Sequence, residues 1–89
     1  MVNPRIISFI ARSSRRLEVL RLLKEHEKSQ VEIMKLTKMY KTHTSRTLKE
    51  LTEKKLIICK NPEDRVFRFY KITPKGKIVL GEVKKLNNA

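Results

Sequence analysis

Apolar side chains recur at helical spacing through the first half of the chain, and from Leu56 the pattern changes to β-branched and aromatic runs. Asn3-Pro4 offers an N-cap followed by a proline at the first helical position, where its missing N–H costs nothing. At about 100° per residue, Ile6, Ile7, Phe9, Ile10 and Ala11 then share one side and Arg5, Ser8 and Arg12 the other, which predicts a short amphipathic helix. Ser13-Ser14 caps a second helix running to about Lys28, with Leu17, Val19, Leu20, Leu22 and Leu23 on a broad apolar face and Arg15, Glu18, Arg21 and Glu25 in water. Ser29-Gln30-Val31-Glu32 matches a capping box, in which the Ser and Glu side chains each satisfy an orphan N–H, and a short helix through Ile33, Met34, Leu36 and Thr37 follows. Thr42 is the expected cap of the next helix, where Thr44, Leu48 and Leu51 form one inward stripe. The opposite stripe carries Thr42, Arg46, Lys49 and Glu53, with His43 and Ser45 on its flanks.

Leu56-Ile57-Ile58-Cys59-Lys60 and Val66-Phe67-Arg68-Phe69-Tyr70-Lys71-Ile72, separated by Asn61-Pro62-Glu63-Asp64-Arg65, predict an antiparallel hairpin with an exposed five-residue turn. Tyr70 and Ile72 alternate onto the core side. Phe67 and Phe69 share the other side, and if exposed they form a platform on which single-stranded bases would stack. Thr73-Pro74 repeats the cap-plus-proline start, and a last helix puts Val79, Val83 and Leu86 on one stripe with Lys77, Lys84 and Lys85 away from it, fraying over residues 87–89. The fold class expected is mostly α with a small β-hairpin. Its core is built from Leu20, Leu23, Ile33, Leu48, Leu51 and the hairpin.

The chain has 89 residues, enough for a single domain and leaving little for a second module; residues 1–89 are read as one unit with its core at about 13–80. Two glycines and three prolines leave no room for a flexible linker. Twenty-two Lys and Arg against nine Asp and Glu give a formal charge of +13, and such an excess repels itself unless a polyanion shares it. Nucleic acid is the commonest such partner, with an anionic membrane surface as the rival. Apolar runs such as Leu56-Ile57-Ile58-Cys59 fall far short of the ~20 residues of a spanning helix, and Ile6 to Ala11 lacks a secretory cleavage pattern, so no membrane partner and a cytoplasmic location are expected. Cys59 stands alone and His26 and His43 supply no metal-ligand spacing, so neither zinc, nor another metal, nor any cofactor is expected. An isolated His43 or Cys59 is read as an ordinary residue rather than a sensor of pH or oxidant. Without a Ser/His/Asp order, a Gly-rich phosphate loop or clustered carboxylates, no enzyme is expected.

The order helix, helix, helix, hairpin, helix, with a short turn before the third core helix, is the layout of a helix-turn-helix carrying a wing. Arg16-Leu17-Glu18-Val19-Leu20-Arg21-Leu22-Leu23, Glu32-Ile33, Ser45-Arg46-Thr47-Leu48-Lys49-Glu50-Leu51, Leu56-Ile57 and Arg68-Phe69-Tyr70-Lys71-Ile72-Thr73-Pro74-Lys75-Gly76 resemble, in order and separation, winged-helix regulators of the MarR and ArsR type over roughly residues 13–80. The chain departs from that pattern at Lys38 and Lys55, which stand where glycines often end the two helices and which must therefore accept left-handed or otherwise tight backbone. The resemblance implies that the third core helix enters the major groove of double-stranded DNA and that the hairpin lies along the neighbouring backbone or minor groove.

The candidate DNA-binding residues are Lys41, Thr42, His43, Ser45, Arg46 and Lys49 on that helix and Arg65 and Arg68 on the hairpin. Arg46 suits a bidentate contact to guanine, Lys49 a phosphate, and Ser45, Thr42 and His43 base edges or phosphates. Glu53 confines contact to the first two turns, and Glu63 and Asp64 oppose phosphate approach at the turn, so that either Arg65 and Arg68 bracket the backbone or the hairpin is merely structural. The terminal stripes Ile6, Phe9, Ile10, Val79, Val83 and Leu86 are expected to be the interface of a homodimer, because one small core covers only one face of each added helix; the alternative is that one of them, the C-terminal helix, folds back on its own domain. The function expected is a sequence-specific transcription regulator, in its simplest form a repressor. The rivals are a sequence-blind architectural binder and a winged helix that docks proteins within a transcription assembly.

Overall fold

The computed structural model describes residues 3–87, and of Asn87 the backbone alone. The elements are α1 (Pro4–Ala11), α2 (Ser14–Glu25), β1 (Lys28–Ser29), α3 (Gln30–Thr37), α4 (Lys41–Glu53), β2 (Ile57–Cys59), β3 (Phe69–Ile72) and α5 (Pro74–Asn87). Asn88 and Ala89, most of the stretch expected to fray, lie outside the described residues. The caps read from the sequence are formed. Asn3 Oδ1 accepts the Arg5 N–H at 2.9 Å, Ser13 Oγ that of Arg16 at 3.3 Å and Thr73 Oγ1 that of Gly76 at 3.0 Å. Ser29 and Glu32 exchange both bonds of the capping box at 3.1 Å each. The exception is α4, which starts at Lys41, ahead of the expected Thr42 cap, behind a Tyr40 that makes no side-chain cap bond. There the Thr44 hydroxyl donates to the Tyr40 carbonyl at 3.0 Å.

The second helix is the centre of the fold: it touches each of the other four helices and β3. Val19, Leu20 and Leu23 of α2 are buried with Ile33, Leu48, Leu51, Leu56, Ile57, Tyr70 and Ile72, which is the core expected from the spacing of apolar residues. Each such aliphatic side chain contributes roughly 1.5–3 kcal/mol by leaving water. Both lysines that replace the customary glycines are left-handed, Lys38 with φ 59° and Lys55 with φ 62°. At Lys55 the end of α4 is a Schellman motif, with Leu56 N–H on the Leu51 carbonyl at 3.0 Å and Lys55 N–H on that of Thr52 at 2.9 Å, so the left-handed turn lets Lys55 and Leu56 each satisfy one orphan carbonyl.

In two places the local structure departs from the sequence reading. The second helix ends at Glu25 rather than near Lys28, because 28–29 form a third strand: β1 pairs antiparallel with β3 (Lys28 with Tyr70, Ser29 with Phe69) and the sheet order is β1-β3-β2. Lys28 is buried there, and its ammonium donates to the Leu22 carbonyl at 2.7 Å and the His26 carbonyl at 3.4 Å, closing the C-terminus of α2. The expected five-residue turn is a longer connection over residues 60–68, because Val66 and Phe67 bond to a side chain of the loop instead of to β2.

The terminal helices require a correction. Ile10, Val79 and Val83, assigned to a dimer interface, are all 0% exposed inside the chain's own core, because α1 and α5 pack on each other and both pack on α2. Phe9 and Ile6 are half-buried against that core, and of the six residues only Leu86 is openly exposed, at 58%. Among the described residues no helix is long and apolar enough to cross a membrane.

Gly76 is fixed by packing rather than by conformation: a Cβ built on it would collide with the Leu56 carbonyl oxygen and meet Ile72 Cγ1 at 2.7 Å, while the Leu56 carbonyl accepts the Thr73 N–H at 3.0 Å. Gly76→Ala is therefore expected to destabilise the domain by about 1–3 kcal/mol or more. Lys55→Gly should stabilise it by about 0.5–1 kcal/mol, the relief of left-handed strain less the added freedom of the unfolded chain. Urea denaturation monitored by circular dichroism checks both, and an unchanged midpoint for Gly76→Ala would contradict the packing described.

Candidate nucleic-acid interface

The fourth helix packs along one stripe, where Thr44, Thr47, Leu48 and Leu51 are buried. The two buried threonines leave no polar atom unpaired: their hydroxyls donate to the carbonyls of Tyr40 and His43 four residues back, at 3.0 and 2.9 Å. With that stripe fixed, Lys41, Thr42, His43, Ser45, Arg46 and Lys49 are all exposed, and they are the six helix residues singled out from the sequence. Ser45 is held as well as exposed, its Oγ accepting from Gln30 Nε2 at 2.8 Å, so the start of α3 steadies the flank of α4.

A side chain to which the sequence reading gave no separate role sets the rotation of α4. From α2, Arg16 stacks its guanidinium on the Phe9 ring at 3.7 Å and donates to the Phe9 carbonyl at 2.9 Å and to Glu50 Oε2 at 3.0 Å, with its Nε 3.4 Å from Glu50 Oε1. This two-pronged pair couples α1, α2 and α4, and its partial burial makes it worth more than an open surface pair. Neither Glu50 nor Gln30 announces itself in the sequence, because the pairing joins residues 34 and 15 positions apart.

The wing loop is held by its own polar groups. Asp64 Oδ1 accepts the Val66 and Phe67 N–H groups at 2.8 and 2.9 Å, and Asn61 Oδ1 accepts the Phe69 N–H at 2.8 Å while its Nδ2 donates to the Phe67 carbonyl. Arg68 turns inward, its Nε donating to the Asp64 carbonyl at 2.9 Å, whereas Arg65 is exposed at the tip. The two arginines expected to act alike thus differ: Arg68 braces the loop and Arg65 is available. Between wing and α4 lies a groove of about 390 Å³ whose lining includes Gln30, Ser45, Lys49, Arg68, Tyr70 and half-buried Cys59. Burial pushes the Tyr70 phenol up, against the opposing hydrogen bond with Arg68.

These parts make a winged helix-turn-helix: a recognition helix with a polar, cationic free face beside a braced hairpin. The family model described as the HVO_A0261 N-terminal domain matches residues 5–89, and the chain belongs to that family. No curated protein matches it. Among solved structures it is similar to the transcriptional regulator BldR from Sulfolobus solfataricus, at 26% identity over 85% of this chain and 56% of that one, with a TM-score of 0.75. It is similar to the YusO protein from Bacillus subtilis at 27% identity, over 82% of this chain and 53% of that one, with a TM-score of 0.74. Lactococcus lactis ZitR in complex with DNA shares the fold, at 24% identity over 82% of this chain and 51% of that one, with a TM-score of 0.69. The solved neighbours are winged-helix transcriptional regulators of the MarR type, as the sequence motifs implied. The chain spans about half the length of these structures.

The backbone N–H groups of Phe67 and Val66 hold the Asp64 carboxyl below its ordinary value of 3.8. A carboxyl whose folded value is depressed stabilises the folded loop above its unfolded value and loses that contribution as the pH falls through the folded one. An NMR titration should therefore find the Asp64 midpoint below 3.8, with the Val66 and Phe67 amides losing protection only in that acid range. A midpoint at or above the ordinary value would contradict the bracing role.

Proposed function

We propose that this chain binds double-stranded DNA in a sequence-specific manner and regulates transcription, in the simplest form by occupying a promoter as a repressor. The observation that carries the proposal is the exposed face of α4, where Lys41, Thr42, His43, Ser45, Arg46 and Lys49 stand together opposite a fully buried stripe. Arg46 presents the fork that fits guanine, the short polar residues at the helix start fit base edges or phosphates, and Lys49 fits a phosphate. Arg65 reaches the neighbouring backbone or minor groove from the wing tip, and Arg68 acts through the loop it braces. The charge of +13 supplies the sequence-independent part of the affinity. A neighbour of the same fold solved with DNA supports this reading.

Recovery of bound sequences from a random duplex pool at physiological salt should enrich a defined motif. On that motif Arg46→Ala should cost about 1–3 kcal/mol and relax the choice of base at one position. Equal loss on every sequence would move Arg46 to a phosphate, and no enrichment at all would leave a sequence-blind binder.

The same proposal includes a homodimer, on a smaller surface than the whole of both terminal stripes. Leu86 and half-buried Ile7 lie along the outer side of α1 and α5, where a groove of about 290 Å³ bounded also by Pro4 and Ala11 remains open. Reading two successive major grooves requires such a pairing to set the two α4 helices about 34 Å apart, one turn of duplex. Sedimentation equilibrium should give twice the monomer mass for the wild type and the monomer mass for Leu86→Glu. A monomeric wild type would overturn the pairing.

A further inference from the structure

The outer face of the wing carries apolar side chains that neither the core nor the proposed duplex contact uses. Phe67 is 58% exposed, Phe69 39% and Ile58 48%. Phe69 opens β3 and Tyr70 beside it is buried, so its ring stands on the solvent side of the sheet; Phe67, in the loop two residues before, is exposed too, and the Asn61 amide bonds both its carbonyl and the Phe69 N–H. Ile58 is paired with Lys71 in the register of β2 and β3, and the Lys60 N–H donates to the Phe69 carbonyl, so Ile58, Lys60 and Lys71 belong to the same face. Lys60 reaches Glu27 at 2.9 Å, Lys71 is exposed, and Arg65 stands at the tip above them.

An exposed apolar cluster of this kind calls for a partner, and its charge selects which one. A second copy of a chain with a formal charge of +13 would set Lys71 and Arg65 against like charges, which disfavours self-pairing. A polyanion that also carries flat apolar groups satisfies both features at once. Two rings at alternate positions of an extended segment stand about 7 Å apart, which suits successive bases of an extended strand and not the closed stack of a duplex. We propose that the outer face of the wing binds unpaired nucleobases of single-stranded nucleic acid, with Phe67 and Phe69 as the stacking rings and Lys71 on the phosphates. This face points away from the groove that the wing shares with α4, so it acts separately from duplex reading and either activity can fail without the other.

The experiment is fluorescence anisotropy with labelled oligothymidylate and oligouridylate of about ten nucleotides, within the range one such platform covers, and with an abasic strand of equal length. The wild type should bind the base-bearing strands at least about fivefold more tightly than the abasic one for each ring engaged. Phe67→Ala and Phe69→Ala should each remove most of that margin, and Phe67→Leu, which keeps the apolar surface and loses the ring face, should remove it as well. Circular dichroism establishes that the variants are folded, and Phe67, the more exposed of the two, keeps the test open if Phe69→Ala is not. Preference for one oligonucleotide assigns the platform to DNA or to RNA. Arg46→Ala, which lowers duplex affinity, should leave the margin intact. Equal binding of abasic and base-bearing strands by the wild type would overturn the proposal. So would an undiminished margin in Phe67→Leu, or ring-dependent binding to anionic phospholipid vesicles without any base dependence.

Discussion

The site depends on one constraint: α4 has a single buried stripe. With Leu48 and Leu51 driven into the core and Thr44 and Thr47 satisfied by their own helix, the opposite stripe has no route but outward. The cationic face is thus a by-product of core packing, presented without any rearrangement. Rotation about the helix axis is fixed on one flank by Glu50 on Arg16, and on the other by Ser45 on Gln30. Arg16 also stacks on Phe9, so α1 is tied to α4 through a side chain of the helix that lies between them. Binding to a face already held in place loses little conformational entropy in that helix, which favours affinity without adding a contact.

The wing is built by a different logic. A loop of residues 60–68 has too few ladder bonds to be rigid, and its shape comes from Asn61, Asp64 and Arg68, each of which bonds backbone groups of the loop. Asp64 was expected to oppose phosphate. Its Oδ1 accepts two N–H groups of the loop, which favour the ionised form, and Arg65 next to it is exposed.

Much of this architecture was legible in the sequence because it is local. Helix starts at Asn3, Ser13, Ser29 and Thr73 follow from capping chemistry within three residues, the inward stripe of α4 follows from a period of 3.6, and the left-handed Lys38 and Lys55 follow from the need to end a helix without glycine. What sequence reasoning missed is non-local. A two-residue strand at 28–29 exists only because β3 lies beside it, and Lys28 looks like any surface lysine until its ammonium is found on the end of α2. The terminal stripes were misassigned for the same reason: an apolar face announces that it will be covered, without saying by what. Here α1 and α5 cover each other and α2, and Ile10, Val79 and Val83 are spent on that packing. The exposed side chains of the candidate interface were legible because exposure is the complement of a periodic buried stripe.

The central claim is that duplex DNA is met by the free face of α4 and the tip of the wing. Amide chemical-shift mapping of the labelled protein with the selected duplex tests it most directly, since every backbone position reports at once. The account predicts that the largest changes fall on Lys41 to Lys49 and around Arg65, with α1 and the middle of α5 nearly silent. Changes centred on α1 and α5, with α4 unmoved, would contradict it.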